Sequence, residues 1–206
     1  MAGGEGRHAV THVFSRSEED ARHAVFRTTM ENHIMEKHIT FAITLTYLWV
    51  MMMFLGSMLI ETLMIYPNIF HNVPESLATA RKFMAVVTPH DFFPPLGLTC
   101  WISGLASLAL NWRVNSARSW LLTSLLMMVA EGLFSMAFFW PRNRIMFVEG
   151  TAVHSAAFLR QTAREFQVMH WARVACNVLG SAAVFAGFLR FYRHRITPVA
   201  ISEAQP

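Results

Sequence analysis

Between residues 39 and 189 the chain carries long apolar stretches nearly free of Asp, Glu, Lys and Arg, set apart by more polar connections. A helix needs about 20 such residues to cross the hydrocarbon core of a bilayer, and four stretches reach that length. The first, 39–66, is uncharged from Ile39 to Ile60, passes Glu61, and closes at Tyr66, Pro67 and Asn68. The second, 92–112, tolerates Pro94 and Pro95 because they fall in its first turn, where backbone N–H groups lack helical partners anyway. The third, 119–140, is interrupted only by Glu131. The fourth, 167–189, carries His170 and Arg173 in its first two turns and stops at Arg190, Arg193, His194 and Arg195. The pattern predicts an all-α polytopic membrane protein: a four-transmembrane-helix bundle over residues 39–192, with an N-terminal segment 1–38 and a tail 193–206.

The N-terminal segment is expected to form a cytoplasmic amphipathic helix, with Ser17, Glu18, Glu19 and Asp20 resembling a capping box at its start. Five histidines lie in it (His8, His12, His23, His33 and His38), without the spacing or cysteines of a metal site. The two longer connections, 67–91 and 141–166, each have room for a short helix on the membrane surface. One would carry Leu77, Ala80, Met84 and Val87 on a stripe, the other Val153, Ala156, Ala157 and Phe158.

Composition supports this reading. Of 206 residues, 54% are hydrophobic and 15% charged, against roughly 25% charged in soluble domains. A disordered chain, a nucleic-acid-binding tail and a disulfide-knit secreted module are thereby excluded. The net charge of +4 then bears on orientation. Ten Lys and Arg residues lie in the N-terminal segment, the turn at Arg113 and Arg118 and the tail, against six in the longer connections. The positive-inside rule places both termini in the cytoplasm; in a bacterium the membrane would be the inner one. The first apolar run starts only at residue 39 and is too long for a cleaved signal peptide. The bilayer is the expected partner, and nucleic acid is not.

Ionisable groups inside a span cost roughly 2.5 to 3.5 kcal/mol on insertion scales, so their positions carry meaning. Up-and-down threading brings Glu61, His90, Asp91, Glu131, His170 and Arg173 into the same, outer half of the bundle. On the fourth helix His170, Arg173 and Asn177 share a face. Ser57, Glu61, Met64 and Asn68 are expected to share one on the first, and Ser124, Met127, Glu131 and Ser135 one on the third. Gly104, Gly132 and Gly180 permit close helix approach. Glu61, Asp91 and Glu131 outnumber Arg173, and a divalent transition metal (iron, copper, manganese or zinc) held by Glu61, Glu131, His170 and His90 would balance them. The alternative is structural: Arg173 pairs with one carboxylate, another carries a proton, and Asp91 is solvated.

Other features point less far. Cys100 and Cys176 lie at similar depths and admit a redox pair, though two small buried residues explain them as well. Met51, Met52 and Met53 point around the helix and read as lipid-facing. Nucleotide-binding and hydrolase motifs are absent from the sequence.

The chain resembles the anthrone-oxygenase-like four-span membrane family over roughly residues 40–192. The likeness lies in Gly56 leading to Tyr66, Pro67 and Asn68, in the amphipathic segment that follows, in the Asn143 region, and in Phe166, His170, Trp171 and Arg173. Glu61, Glu131 and the N-terminal extension lie outside the family pattern. The resemblance implies oxidation of an aromatic or lipophilic substrate by oxygen. Joined to the residue reading, it suggests a metal-dependent oxidoreductase for a hydrophobic small molecule. Arg173 and Asp91 would be catalytic, and Trp101, Phe138 and Trp171 would form apolar walls. A non-catalytic subunit within a homo-oligomer or beside a partner membrane protein, and a small-solute carrier, are the competing classes. The carrier requires polar residues to continue through the inner half, which reads as mostly Leu, Met, Val and Ala.

Overall fold

The computed structural model describes the backbone of residues 5–203 and the side chains of residue 22 and residues 25–195. Two compact units divide the chain, Met1–Ala42 and Ile43–Pro206. The first is helical from Glu5, where α1 (Glu5–Ile60) begins. Ser17 to Asp20 therefore do not open a helix: no proline or glycine interrupts the chain between Arg7 and Leu55, and the helix propagates through them. His33 and His38 are exposed, and the side chains of His8, His12 and His23 lie outside the described residues.

The second unit is all-helical, with no strand among the described residues. After α1 come a π-helical turn Glu61–Ile65, α2 (Tyr66–Phe70), α3 (Glu75–Phe83), α4 (Pro89–Leu110) and α5 (Asn115–Phe134). A second π-helical turn, Ser135–Phe139, leads to α6 (Trp140–Asn143), a third π segment, Arg144–Glu149, and finally α7 (Ala156–Glu203). Among the described residues four helical stretches are long and apolar enough to cross a membrane: Val25–Phe70, Pro89–Leu110, Asn115–Ala152 and Ala156–Arg195. They overrun the expected limits because the helices continue past the apolar runs. In particular α7 absorbs Ala156, Ala157 and Phe158, which form no separate surface helix.

Side-chain contacts define an up-down-up-down arrangement. Asn111 of α4 bonds Thr44 of α1, and Phe54 meets Phe93, so these helices run antiparallel. Glu131 of α5 reaches Arg173 of α7, while Gly187 of α7 faces Leu121. Glycine lets the helices close up at two places in particular. A Cβ on Gly104 would lie 2.9 Å from the Tyr47 ring, and one on Gly132 would lie 2.5 Å from Trp101. Gly180 is similarly tight against Met51, which is fully buried; Met53 is exposed. Met51 is thus core rather than lipid-facing, because it lies on the stripe of Tyr47, Phe54 and Met58. Trp112 and Trp120, each with an arginine over its ring (Arg118 and Arg190), cluster where the basic turn meets the apolar spans, the usual place for an aromatic belt.

Both odd-numbered spans widen into π-helix just before an aromatic-proline pair, Tyr66-Pro67 and Trp140-Pro141. Proline removes one helical hydrogen bond and its ring crowds the carbonyl four residues earlier, here Leu63 and Ala137. A widened turn relieves that crowding without ending the helix. In the first span the extra residue also turns both Glu61 and Thr62 inward and rotates Met64 and Asn68 out, breaking the stripe expected from regular spacing.

The connections pack down rather than lying free. Leu77 and Ala80 of α3 join Tyr66, Ile69, Val73, Phe139, Met146, Leu159 and Phe166 in one buried cluster. Arg160 donates to the Val73 carbonyl at 2.9 Å, and Arg142 pairs with Glu165 at 2.7 Å while covering the Phe138 ring. Glu149 accepts from Arg144 at 3.0 Å and pairs with His154 at 2.6 Å. Gly150 follows with φ of 53°, a conformation that side-chain-bearing residues rarely adopt.

Candidate functional site

A cavity of about 220 Å³ opens at the end of the bundle that carries the two longer connections, somewhat below the roughly 300 Å³ at which ligand pockets usually begin. Its walls are mainly apolar and aromatic, among them Phe54, Phe93, Trp101, Phe139 and Trp140. Its polar lining is Glu61, Tyr66, Glu131, Ser135 and Arg173, with His90 and Asn143.

Arg173 Nε donates to Glu131 Oε1 at 2.9 Å, and Ser135 donates to the same oxygen at 3.1 Å. Both charged partners are buried, and the guanidinium lies over the Phe139 ring, 4.6 Å from its centroid. One carboxylate is therefore answered directly, the arrangement expected of a structural pair. Glu61 differs. It is 5% exposed, lines the cavity together with Tyr66, and its Oε2 is buried without a hydrogen-bond partner. A buried carboxylate oxygen with no donor is costly, and the residue that carries it lines the cavity.

Of the other residues expected here, His90 lines the pocket and packs against Trp140 with ring centroids 5.6 Å apart. Asp91 does not line it: its Oδ2 accepts from the Thr88 backbone N–H at 2.9 Å and from the Thr88 hydroxyl at 2.7 Å, capping α4 at an exposed position. That role was readable in the Thr-x-x-Asp spacing. His170 is buried among Tyr66, Phe139 and Phe166, outside the pocket lining. Its Nε2 meets the Thr62 hydroxyl at 2.7 Å, and that hydroxyl's one hydrogen goes to the Met58 carbonyl at 2.6 Å. His170 Nε2 is therefore the donor, and in the neutral ring Nδ1 is left as a buried, unpartnered acceptor.

Trp101 lines the cavity as expected; Phe138 is under Arg142 instead, and Trp171 is exposed. Cys100 and Cys176 are both free thiols. Among the described residues, no three of His, Cys, Asp and Glu gather as metal ligands. Sequence reasoning missed Tyr66 as a site residue, although it lies five residues after Glu61 and its proline neighbour marks the widened turn that brings the two together.

No protein-family model, curated protein or solved structure matches this chain.

Proposed function

We propose that this protein is a membrane-embedded enzyme that binds a hydrophobic small molecule carrying a hydroxyl group in the pocket and acts on it by acid-base chemistry. The observation that carries this reading is Glu61: a buried carboxylate with an unanswered oxygen, on a residue that lines a mainly apolar cavity. Glu61 would take the hydroxyl proton, Tyr66 would hold the carboxylate in place, and Arg173 would stabilise the anion that forms. An electron-rich aromatic anion gives up electrons to oxygen more readily than its parent, so the resemblance to anthrone-oxygenase-like proteins makes oxidation by oxygen the proposed reaction. The balance of charge needs no metal in this reading, because Glu131 is paired and Asp91 caps a helix at the exposed end of α4. A transition metal held by Glu61, Glu131, His170 and His90 is the alternative chemistry.

One assay separates these readings. Protein in lipid nanodiscs is given hydroxylated naphthalenes, oxygen uptake and product are followed, and bound metals are measured on the same sample. Oxygen-dependent product that is lost in Glu61→Gln, without stoichiometric metal, supports the proposal; product that tracks a bound metal supports the metal chemistry. If no naphthol binds or reacts, the non-catalytic subunit is left, a reading favoured by the direct Arg173–Glu131 pair.

A further inference from the structure

Two residues of the pocket wall face outward as well as inward. Leu98 of α4 is 55% exposed and Met136, in the π turn after α5, is 37% exposed, yet both line the cavity. Beside them the wall carries Pro94 and Gly97 of α4 and Gly132 of α5, the last covered by Trp101. At Leu98 and Met136 the cavity wall is therefore also the outer surface of the bundle, and about one turn further in Trp101 closes α4 against Gly132, with its indole N–H directed at the Met128 carbonyl, 3.4 Å away.

The depth of this wall decides what reaches it. α4 has 22 residues, or roughly 33 Å at 1.5 Å per residue, close to the roughly 30 Å of a hydrocarbon core. Leu98 lies nine residues along it, roughly 13 Å from its start, which is acyl-chain depth rather than headgroup depth. The rim at the connection end is different: His90, Trp140 and Asn143 present polar and aromatic edges there.

We infer that the pocket has a lateral mouth between the second and third spans, framed by Leu98 and Met136, through which it takes its ligand from the bilayer. The ligand is a lipid-dissolved molecule with a flat apolar body, which lies along Trp101, and a hydroxyl at its leading end, which meets Glu61 Oε2. The inference rests on the proposed function and adds the source of the substrate and its direction of approach.

The test uses full-length protein in nanodiscs with Trp101 as the single tryptophan, the other five changed to phenylalanine. The probe is 6-bromo-2-naphthol, which keeps its hydroxyl proton at neutral pH and whose bromine quenches indole fluorescence on contact. The Leu98→Phe/Met136→Phe variant narrows the mouth, and Asn143→Phe narrows the rim. The mouth variant is expected to slow quenching at least fivefold, with the rim variant within twofold of the parent. If the rim variant is slowed and the mouth variant is not, the pocket fills from water; the lateral mouth is then overturned while the proposed function stands. If the parent shows no saturable quenching, both fall. A second measurement needs no mouth substitution: in phosphatidylcholine brominated at the 9 and 10 positions of its chains, Trp101 emission should fall by more than half, whereas aqueous iodide should change it little. Quenching by iodide but not by bromolipid would contradict the mouth.

Discussion

At the connection end of the four-helix unit, buried polarity is charged and partly unanswered; at the opposite end it is neutral and mostly closed on itself. There Asn111 donates to Thr44 at 3.0 Å and to the Ser107 carbonyl at 2.8 Å, Ser107 donates to Thr44 at 3.2 Å, and Tyr47 shares a hydrogen bond with Ser124 at 2.8 Å. All five side chains are fully buried, and Gly104 brings α4 against Tyr47. Polar groups placed this way hold helices in register where lipid offers no competing partner. The connection end spends similar polarity differently. Arg173 and Glu131 answer each other, but Glu61 and His170 each keep a free acceptor, and between the ends Asn177 and Ser181 are buried with side-chain atoms unpartnered. Each end keeps an unpartnered buried oxygen, Asn111 Oδ1 at one and Glu61 Oε2 at the other, but Glu61 is the residue that also lines the cavity.

Removing half of the charged pair should have the largest effect. Arg173→Met leaves Glu131 buried and alone, with an expected loss of about 3 to 5 kcal/mol; Arg173→Met with Glu131→Gln should recover most of it, as read by thermal unfolding in detergent. If the double variant is no better than the single one, the pair is not a unit. Gly132→Ala comes next. The added methyl meets Trp101 and should cost about 1 to 3 kcal/mol while pushing the indole into the cavity, so naphthol binding should weaken along with stability.

At the neutral end, Thr44→Val strips Asn111 and Ser107 of their shared acceptor. It should cost about 1 to 3 kcal/mol and leave naphthol affinity unchanged; a change in affinity would join the two ends and break the comparison. Tyr47→Phe should be smallest, about 0.5 to 1.5 kcal/mol, since Ser124 can turn its hydroxyl to a backbone carbonyl.

Much of this contrast is written in the chain, unevenly. The four spans follow from charge-free length, and the shared face of His170, Arg173 and Asn177 follows from helical spacing; all three are buried. The neutral end escaped notice because Thr44, Ser107 and Asn111 add nothing to a count of charges, although they supply the polarity that an apolar inner half was expected to lack. The sorting of the charged residues was illegible for another reason. Which residues of the first span face inward depends on a rotation of a residue or less, and the π turn before Pro67 supplies such a rotation, turning Glu61 and Thr62 in and Met64 out. Asp91 was legible as a cap, but its charge drew attention away from Thr88.

The central claim is that Glu61 receives a ligand. Equilibrium quenching of Trp101 by 6-bromo-2-naphthol, in nanodiscs, tests it most directly when Glu61→Gln is compared with the parent. A hydrogen bond to a charged group is worth about 1.5 to 3 kcal/mol, so affinity should fall about tenfold or more. Equal affinity in the two proteins would contradict the account.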